Sequence, residues 1–383
     1  MGVALRICIT VNSAWNIWNF RRPLVEALLQ DGHEVVVLAP VDGSVPNLES
    51  IGCMFEHLAM DRKGLNPFVE LIFLKRIARK FHEIKPDVVF GFTVKNNLFG
   101  ALAAGWLKIP FVPNVTGLGT AFLSGAAFRA GSVRLYRYCF RHCPHVFFQN
   151  EDDQAAFAEL GIVQRNKTTV LPGSGIDLRA FPYTELPRSN AGSRYLMISR
   201  LLRDKGVVEY VEAAKLVKSN APDTEFLILG GFNADNRTAV SQHDVKNWES
   251  SGAIRHLGHA SDVRTYISQA DCIVLPSYRE GAPRTLIEAA AMGRPVISTD
   301  VPGCRSVVDD GKSGYLCKAR NHRSLADAIL RFESLDQEAR ARMGRSGRQK
   351  MEREFSVEKV IAAYRRVLES TSGVSLARDA SLV

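Results

Sequence analysis

The stretch Cys272-Ile-Val-Leu275-Pro276-Ser-Tyr278-Arg-Glu280-Gly281-Ala-Pro283-Arg-Thr-Leu-Ile-Glu288-Ala-Ala-Ala-Met-Gly293-Arg-Pro295-Val-Ile-Ser-Thr299 decides the fold class. Residues 272 to 275 are short, apolar and without alternation, which reads as a strand of a parallel sheet buried on both faces. Pro283 suits a first helical position, Gly293 suits the stop, and Pro295 forbids continuation. Residues 295 to 299 read as the next strand. The loop holding Glu280 therefore sits at the carboxyl end of a strand, where open parallel sheets place their ligands.

The start of this helix suits an anion such as phosphate. The amides of Arg284, Thr285 and Leu286 are expected to lack intrahelical partners, and the helix dipole is positive there. Glu288 lies about 8 Å along the axis from Pro283. Among Leu286, Ile287 and Ala289 to Ala291 an ionised carboxylate needs hydrogen bonds, which the vicinal hydroxyls of a ribose would supply. Two glutamates eight positions apart are ordinarily solvated charges; the strand, Gly281, Pro283 and the small-residue helix favour a site.

At 383 residues, with 46% hydrophobic and 23% charged, the chain suits two α/β domains and excludes a disordered polymer. Met1 to Thr10 reads as a first strand rather than a signal segment, and Asn97 to Leu107 is too short to span a bilayer. Seven scattered cysteines suggest a reducing compartment. Cys139 and Cys143, four apart without a second ligand pair, read as buried thiols rather than a metal site. Strands are expected at 6–11, 34–38, 87–90, 111–114, 146–149, 168–171, 195–198 and 225–229, with helices at about 20–31 and 207–217. The polar, turn-rich segment 183–193 is the expected linker.

The motif and its continuation, Val301-Pro-Gly303-Cys-Arg-Ser-Val-Val-Asp309-Asp310-Gly311-Lys-Ser-Gly314-Tyr-Leu, resemble the Glu-x7-Glu region of the family four retaining glycosyltransferases. The resemblance implies an α/β chain of two Rossmann-like domains facing across a cleft, the GT-B architecture. It divides the chain into an acceptor-binding domain over 1–185, a nucleotide-sugar domain over 186–354, a helix over 355–369 returning to the first domain, and a flexible tail over 370–383. Ser199-Arg200-Leu-Leu-Arg203-Asp-Lys205-Gly206 is similar to a second family motif. A planar guanidinium and a compact ammonium at a strand's end suit a diphosphate and would stabilise the charge that builds on it as the donor's glycosidic bond breaks. Arg200, Lys205 and Glu280 are the implied catalytic residues. Glu280 would accept from sugar hydroxyls beside the amides of Gly281 and Ala282, Glu288 would hold the ribose, and His256 lies in the segment expected to meet the base. The implied reaction is transfer with retention, from a uridine diphosphate donor. No Asp-x-Asp motif occurs in the chain, so no metal and no cofactor are expected.

The first half departs from the family pattern twice. Asn12-Ser13-Ala-Trp15-Asn16-Ile-Trp-Asn19 stands where many relatives carry a glycine pair, and Thr116-Gly117 stands where a histidine is usual. Both departures, with Thr116-Gly-Leu-Gly119 and Leu171-Pro-Gly-Ser-Gly-Ile-Asp-Leu178, resemble the subgroup extending undecaprenyl-diphosphate-linked sugars, such as N-acetylgalactosaminyltransferases acting on lipid-linked bacillosamine. Asn12, Asn16, Asn19, Thr116 and Gly117 are the candidate acceptor residues.

The net charge of +9, from 49 basic and 40 acidic residues, bears on partners. Arg62, Lys63, Lys75, Arg76, Arg79 and Lys80 form one basic cluster, on a helix whose apolar face is read as Leu71, Leu74, Ile77 and Phe81. Arg129, Arg134, Arg137 and Arg141 form a second, beside Leu135, Tyr136, Tyr138 and Phe140. Such faces seat on anionic lipid or bind an acceptor diphosphate, although charge clusters are usually solvated. A nucleotide-sugar donor, a lipid-linked saccharide acceptor and an anionic membrane surface are the expected partners, with no nucleic acid. The expected location is cytoplasmic, peripheral on the inner face of the cell membrane. Two other classes stay open: a nucleotide-sugar epimerase of the same architecture and a non-catalytic membrane-surface scaffold. A dehydrogenase is disfavoured, because no Gly-x-Gly-x-x-Gly follows the first strand.

Overall fold

The computed structural model describes residues 3–61, 66–117, 126–187, 192–232 and 236–372. The chain divides into two compact units, Met1–Gly175 with Val357–Val383, and Ile176–Ser356.

In the first unit the elements run β1 (Arg6–Thr10), α1 (Ala14–Gln30), β2 (Glu34–Ala39), α2 (Val45–Ser50), β3 (Met54–His57), α3 (Pro67–Ile84), β4 (Val88–Phe92), α4 (Val94–Leu107), β5 (Phe111–Val115), α5 (Ala126–Phe140), β6 (Val146–Phe148), α6 (Glu151–Glu159) and β7 (Thr168–Val170). The second unit runs β8 (Arg194–Ile198), α7 (Val207–Lys218), β9 (Glu225–Leu229), α8 (Gln242–Ser250), β10 (Arg255–His256), α9 (Arg264–Gln269), β11 (Cys272–Leu275), α10 (Arg284–Ala291), β12 (Val296–Thr299), α11 (Cys304–Val307), β13 (Gly314–Cys317), α12 (His322–Glu333) and α13 (Gln337–Glu354). Helix α14 (Val357–Ser372) then belongs to the first unit.

Each unit is built on a parallel sheet, ordered β3-β2-β1-β4-β5-β6-β7 in the first and β10-β9-β8-β11-β12-β13 in the second. Strand residues in the first unit alternate between two cores. Ile7, Ile9, Val35 and Val37 face the core shared with α1 and α14, while Cys8, Val36 and Leu38 face the one built with α3, α4 and α5. Tyr364 fixes α14 there, its ring 4.8 Å from Phe90 and 4.5 Å from Phe147. All seven cysteines are buried and free.

Three expectations need correction. The division falls at 175/176, not 185/186, because residues 176 to 185 are tied to the second unit. Ile176 donates its amide to Phe355 O at 2.8 Å, and the buried Arg294 guanidinium donates to the carbonyls of Thr184 and Glu185 at 2.8 Å each. The chain returns at Val357 rather than 355, and α14 extends to Ser372; the rest of the expected tail lies outside the described residues. Helix α1 starts at Ala14 rather than about Phe20, because Ser13 caps it by accepting from the Asn16 amide at 3.3 Å.

The basic helices also differ from their sequence reading. Leu71 is 50% exposed, so the buried face of α3 is Phe73, Leu74, Ile77 and Phe81. Lys80 is held by Glu56 at 2.7 Å and Glu83 at 3.3 Å. On α5, Arg137 is spent on the Leu160 carbonyl, with Nε at 2.9 Å, and the Arg141 guanidinium lies 3.7 Å over the Tyr138 ring. Arg62 and Lys63 lie outside the described residues.

Candidate active site

A parallel sheet whose chain leaves in one direction and later resumes beside its first strand has a switch point, with loops diverging at the carboxyl ends and a crevice between them. In the second unit that point lies between β8 and β11. Arg200 and Lys205 follow β8, and Glu280 follows β11, so the two motifs occupy the two sides of one crevice.

Two glycines let the loops close on each other. Gly206 has φ +75°, and a Cβ there would stand 2.0 Å from the Pro276 carbonyl oxygen. Gly303 has φ +81°, and its Cβ would stand 2.5 Å from the carbonyl oxygens of both Glu280 and Gly281. Side chains at either position would force the backbones apart. The loop is further held by the Tyr278 amide donating to Asp204 O at 2.9 Å and by the Thr299 hydroxyl donating to the Ser277 carbonyl. As a result Lys205 Nζ donates to Glu280 Oε1 at 2.5 Å, with the two side chains 21% and 14% exposed. Arg200 emerges from the same strand end, exposed, with no ion-pair partner among the described residues.

Helix α10 carries the second glutamate. Pro283 is its cap rather than its first residue, and the Leu286 amide donates to Pro283 O at 3.0 Å. Leu286 is thus corrected: it is fully buried, its amide is engaged, and it packs the core instead of offering a donor. The Thr285 hydroxyl donates to Ile198 O at 3.1 Å and fastens the helix start to the end of β8. Arg284 Nε donates to Glu288 Oε1 at 2.6 Å, one turn apart. A cation in the first turn opposes the helix dipole, and Glu288 offsets that cost. Burial raises the Glu288 carboxyl above the ordinary glutamate value, an effect that Arg284 partly reverses. Gly281 and Ala282 lie half-buried in the loop between the two glutamates.

His256 is on the edge strand β10, its Nε2 2.9 Å from Gly230 O and its amide donating to Glu249 Oε1 at 2.9 Å. Its ring meets Phe232 edge-on at 5.4 Å, an aromatic residue that sequence reading did not single out.

The first unit has its own switch point, between β1 and β4. Asn12 follows β1 and its Oδ1 is buried without a hydrogen-bond partner among the described residues. Asn16 accepts from Arg21 at 2.5 Å, and that guanidinium lies 4.0 Å over the ring of Phe92, the last residue of β4. Asn19 is exposed and donates to Trp15 O at 3.0 Å. Thr116 and Gly117 are half-buried beyond the end of β5; Leu118 to Thr120 lie outside the described residues.

Sequence reasoning missed Thr93 and Arg21. Thr93, directly after β4, has φ 70° and ψ 152°, a region almost reserved for glycine that costs about 1–3 kcal/mol. Its hydroxyl donates to Asn96 Oδ1 at 3.0 Å, and Asn96 Nδ2 donates to Thr10 Oγ1 at 2.8 Å, joining β4 to β1 across the switch point. No motif announces these residues; for Thr93, position after a strand was the one available signal.

Residues 186–350 match the family described as Glycosyl transferases group 1, and residues 17–173 match the Glycosyl transferase 4-like domain. The chain belongs to the group 1 glycosyltransferases and is an enzyme of that class. It is 31% identical over 342 residues to the N,N'-diacetylbacillosaminyl-diphospho-undecaprenol alpha-1,3-N-acetylgalactosaminyltransferase of Campylobacter jejuni subsp. jejuni, covering 85% of this chain and 88% of that one. It is 28% identical over 284 residues to the UDP-Gal:alpha-D-GlcNAc-diphosphoundecaprenol alpha-1,3-galactosyltransferase of Escherichia coli, covering 68% and 69%. Its fold matches the Anabaena Alr3699/HepE structure in complex with UDP and glucose, at TM-score 0.76 and 18% identity over 96% of this chain and all of that one. The Campylobacter and Escherichia relatives are named as transferases, which disfavours the epimerase and scaffold alternatives.

Proposed function

We propose that this glycosyltransferase moves a hexose or N-acetylhexosamine, with retention at the anomeric carbon, from a uridine diphosphate donor to a polyprenyl-diphosphate-linked saccharide in the assembly of a surface polysaccharide or glycan. The observation that carries the donor half is the 2.5 Å contact between Lys205 and Glu280, which joins two motifs 75 residues apart at one switch point. Without donor, each neutralises the other. A diphosphate draws Lys205 and the exposed Arg200, and leaves Glu280 to accept from sugar hydroxyls. The bond from the anomeric carbon to the β-phosphate oxygen breaks with its electron pair leaving on the diphosphate, where Arg200 and Lys205 stabilise the charge. The acceptor hydroxyl oxygen forms the new bond to the anomeric carbon and gives its proton to the departing diphosphate oxygen. The start of α10 and the Gly281 and Ala282 amides face the phosphate and sugar, Glu288 takes the ribose, and the base lies by His256 and Phe232.

The acceptor half rests on the relatives. Two whose names specify undecaprenol-diphosphate sugars align over most of this chain. Asn12, Asn16, Asn19, Thr116 and Gly117 are the acceptor candidates of the first unit, to which Thr93 and Arg21 are added. The enzyme works at the cytoplasmic face of the cell membrane without a metal; among the described residues no helix is long and apolar enough to cross a bilayer.

The test is incubation of the purified protein with radiolabelled UDP-, GDP- and ADP-sugars, with and without a polyprenyl-diphosphate sugar. Labelled lipid from a UDP-sugar is the expected product. A rearranged nucleotide sugar formed without acceptor would instead make the protein an epimerase.

A further inference from the structure

Helix α3 carries a solvent-exposed outward face on which Arg76 donates to Ala59 O at 3.4 Å and Arg79 pairs with Glu83 one turn on at 3.4 Å, both at the surface. Phe68 is 79% exposed, Leu71 50% and Ile72 49%, while Phe73, Leu74, Ile77 and Phe81 are buried on the other side. At 100° per residue Phe68, Leu71 and Ile72 share one face, and that same face continues as Lys75, Arg76 and Arg79. Single exposed apolar side chains are ordinary; three on one face, followed by three cations over about 16 Å of helix, are a directed surface.

Its place in the fold adds a direction. Helix α3 leads from β3 to β4, so its first turns lie at the carboxyl rim of the sheet and its last turns at the opposite edge. Lys95, in the first turn of α4 directly after Thr93, donates to Glu70 in the first turn of α3 and to Asp61 O at 2.8 Å. The apolar end is thereby pinned to the rim that holds Asn12 and Thr93, and the cations lie further from it.

We infer that the outward face of α3 docks the enzyme on an anionic phospholipid bilayer, with Phe68, Leu71 and Ile72 entering the acyl boundary and Lys75, Arg76 and Arg79 meeting the head groups. The inference rests on the reading of the acceptor as lipid-linked and names the element that brings the first unit's rim to the lipid. A bilayer matches the order of the face, apolar then cationic, at the depth of about 5–10 Å to which interfacial helices sink. A second copy matches it less well, because it would oppose one basic surface to another in a chain of net charge +9.

The test is co-sedimentation of the full chain with phosphatidylcholine vesicles, with and without phosphatidylglycerol. The combined variant Phe68→Ser, Leu71→Ser, Ile72→Ser should lose roughly tenfold or more in partitioning. The combined variant Lys75→Gln, Arg76→Gln, Arg79→Gln should lose roughly fivefold per charge on the anionic vesicles alone. Both should keep wild-type circular dichroism and wild-type turnover of a short-chain, water-soluble acceptor, and lose transfer to acceptor embedded in vesicles. Wild-type partitioning by the serine variant overturns the inference, as does a wild-type protein that ignores both vesicles or a dimer that the serine variant dissociates while vesicle binding is unchanged. Intact vesicle binding without transfer to any lipid acceptor would refute the acceptor reading and leave the docking face standing.

Discussion

The two units present the same device, a switch point at the carboxyl ends of a parallel sheet, and fill it with opposite chemistry. Between β8 and β11 stand charges closed on themselves, Lys205 on Glu280 and Arg284 on Glu288. Between β1 and β4 stand neutral amides, an unsatisfied Asn12 oxygen and a strained Thr93. A diphosphate leaving group needs fixed cations, and paired charges keep those cations in place before the ligand arrives. A saccharide acceptor needs hydrogen-bonding groups, and the first unit offers those beside a single guanidinium, Arg21, which is held by Asn16 and the Phe92 ring. The difference supports the proposal that donor and acceptor are held by separate units.

The largest expected effect breaks the charged side. Lys205→Ala should lower kcat by roughly 10²–10³-fold, with the donor KM changed much less, because the charge it stabilises develops in the transition state. Initial-rate kinetics check this, and a loss of only a fewfold would mean that the Lys205–Glu280 contact is structural. Next, Gly303→Ala places a Cβ 2.5 Å from the Glu280 carbonyl at a φ of +81°. Urea unfolding should show a loss of roughly 1–3 kcal/mol, accompanied by weakened donor binding in calorimetry. Full stability would show that the Glu280 loop is not braced from that side.

A third change sharpens the neutral side. Thr93→Gly and Thr93→Ala both remove the hydroxyl bond to Asn96, so their difference isolates the backbone. At ordinary positions alanine is the more stable of the two by roughly 0.5–1 kcal/mol. At φ 70° and ψ 152° the order should reverse, glycine leading by roughly 1 kcal/mol in chemical denaturation. Alanine leading would remove the strain from the rim of the first unit.

What the sequence disclosed follows the same contrast. The strand, loop and helix around Glu280 were legible because Pro283, Gly293 and Pro295 punctuate them locally, and because a charged site needs particular residue types at short spacing. Thr93, Arg21 and Asn96 were not, since they are common residues whose partners are set by the sheet order: Asn96 takes Thr93 and Thr10, and Arg21 takes Asn16 and the Phe92 ring. The boundary at 175/176 was hidden for a related reason: segment 183–193 has a linker's composition, but the buried Arg294 takes its carbonyls. Leu71 was misplaced on α3 because periodicity alone finds two apolar arcs on that helix and cannot say which meets the core.

The smallest expected effect concerns pH, where the units should respond in opposite senses. His33 in the first unit accepts the Leu5 amide at Nδ1, 3.3 Å away, and burial lowers its pKa below the ordinary histidine value. The folded state therefore binds fewer protons than the unfolded one, and stability falls as pH drops through that ordinary value. Glu288 in the second unit has its pKa raised by burial, so the folded state binds more protons. Its contribution is present at acid pH and is lost as pH rises through the raised value. Denaturation as a function of pH should show His33→Gln flattening the loss of stability that sets in as pH drops through the ordinary histidine value, and Glu288→Gln flattening the loss that sets in as pH rises above the ordinary glutamate value. Glu288→Gln leaving that loss unchanged would mean that Arg284 outweighs burial and that the carboxylate is ionised in the free protein.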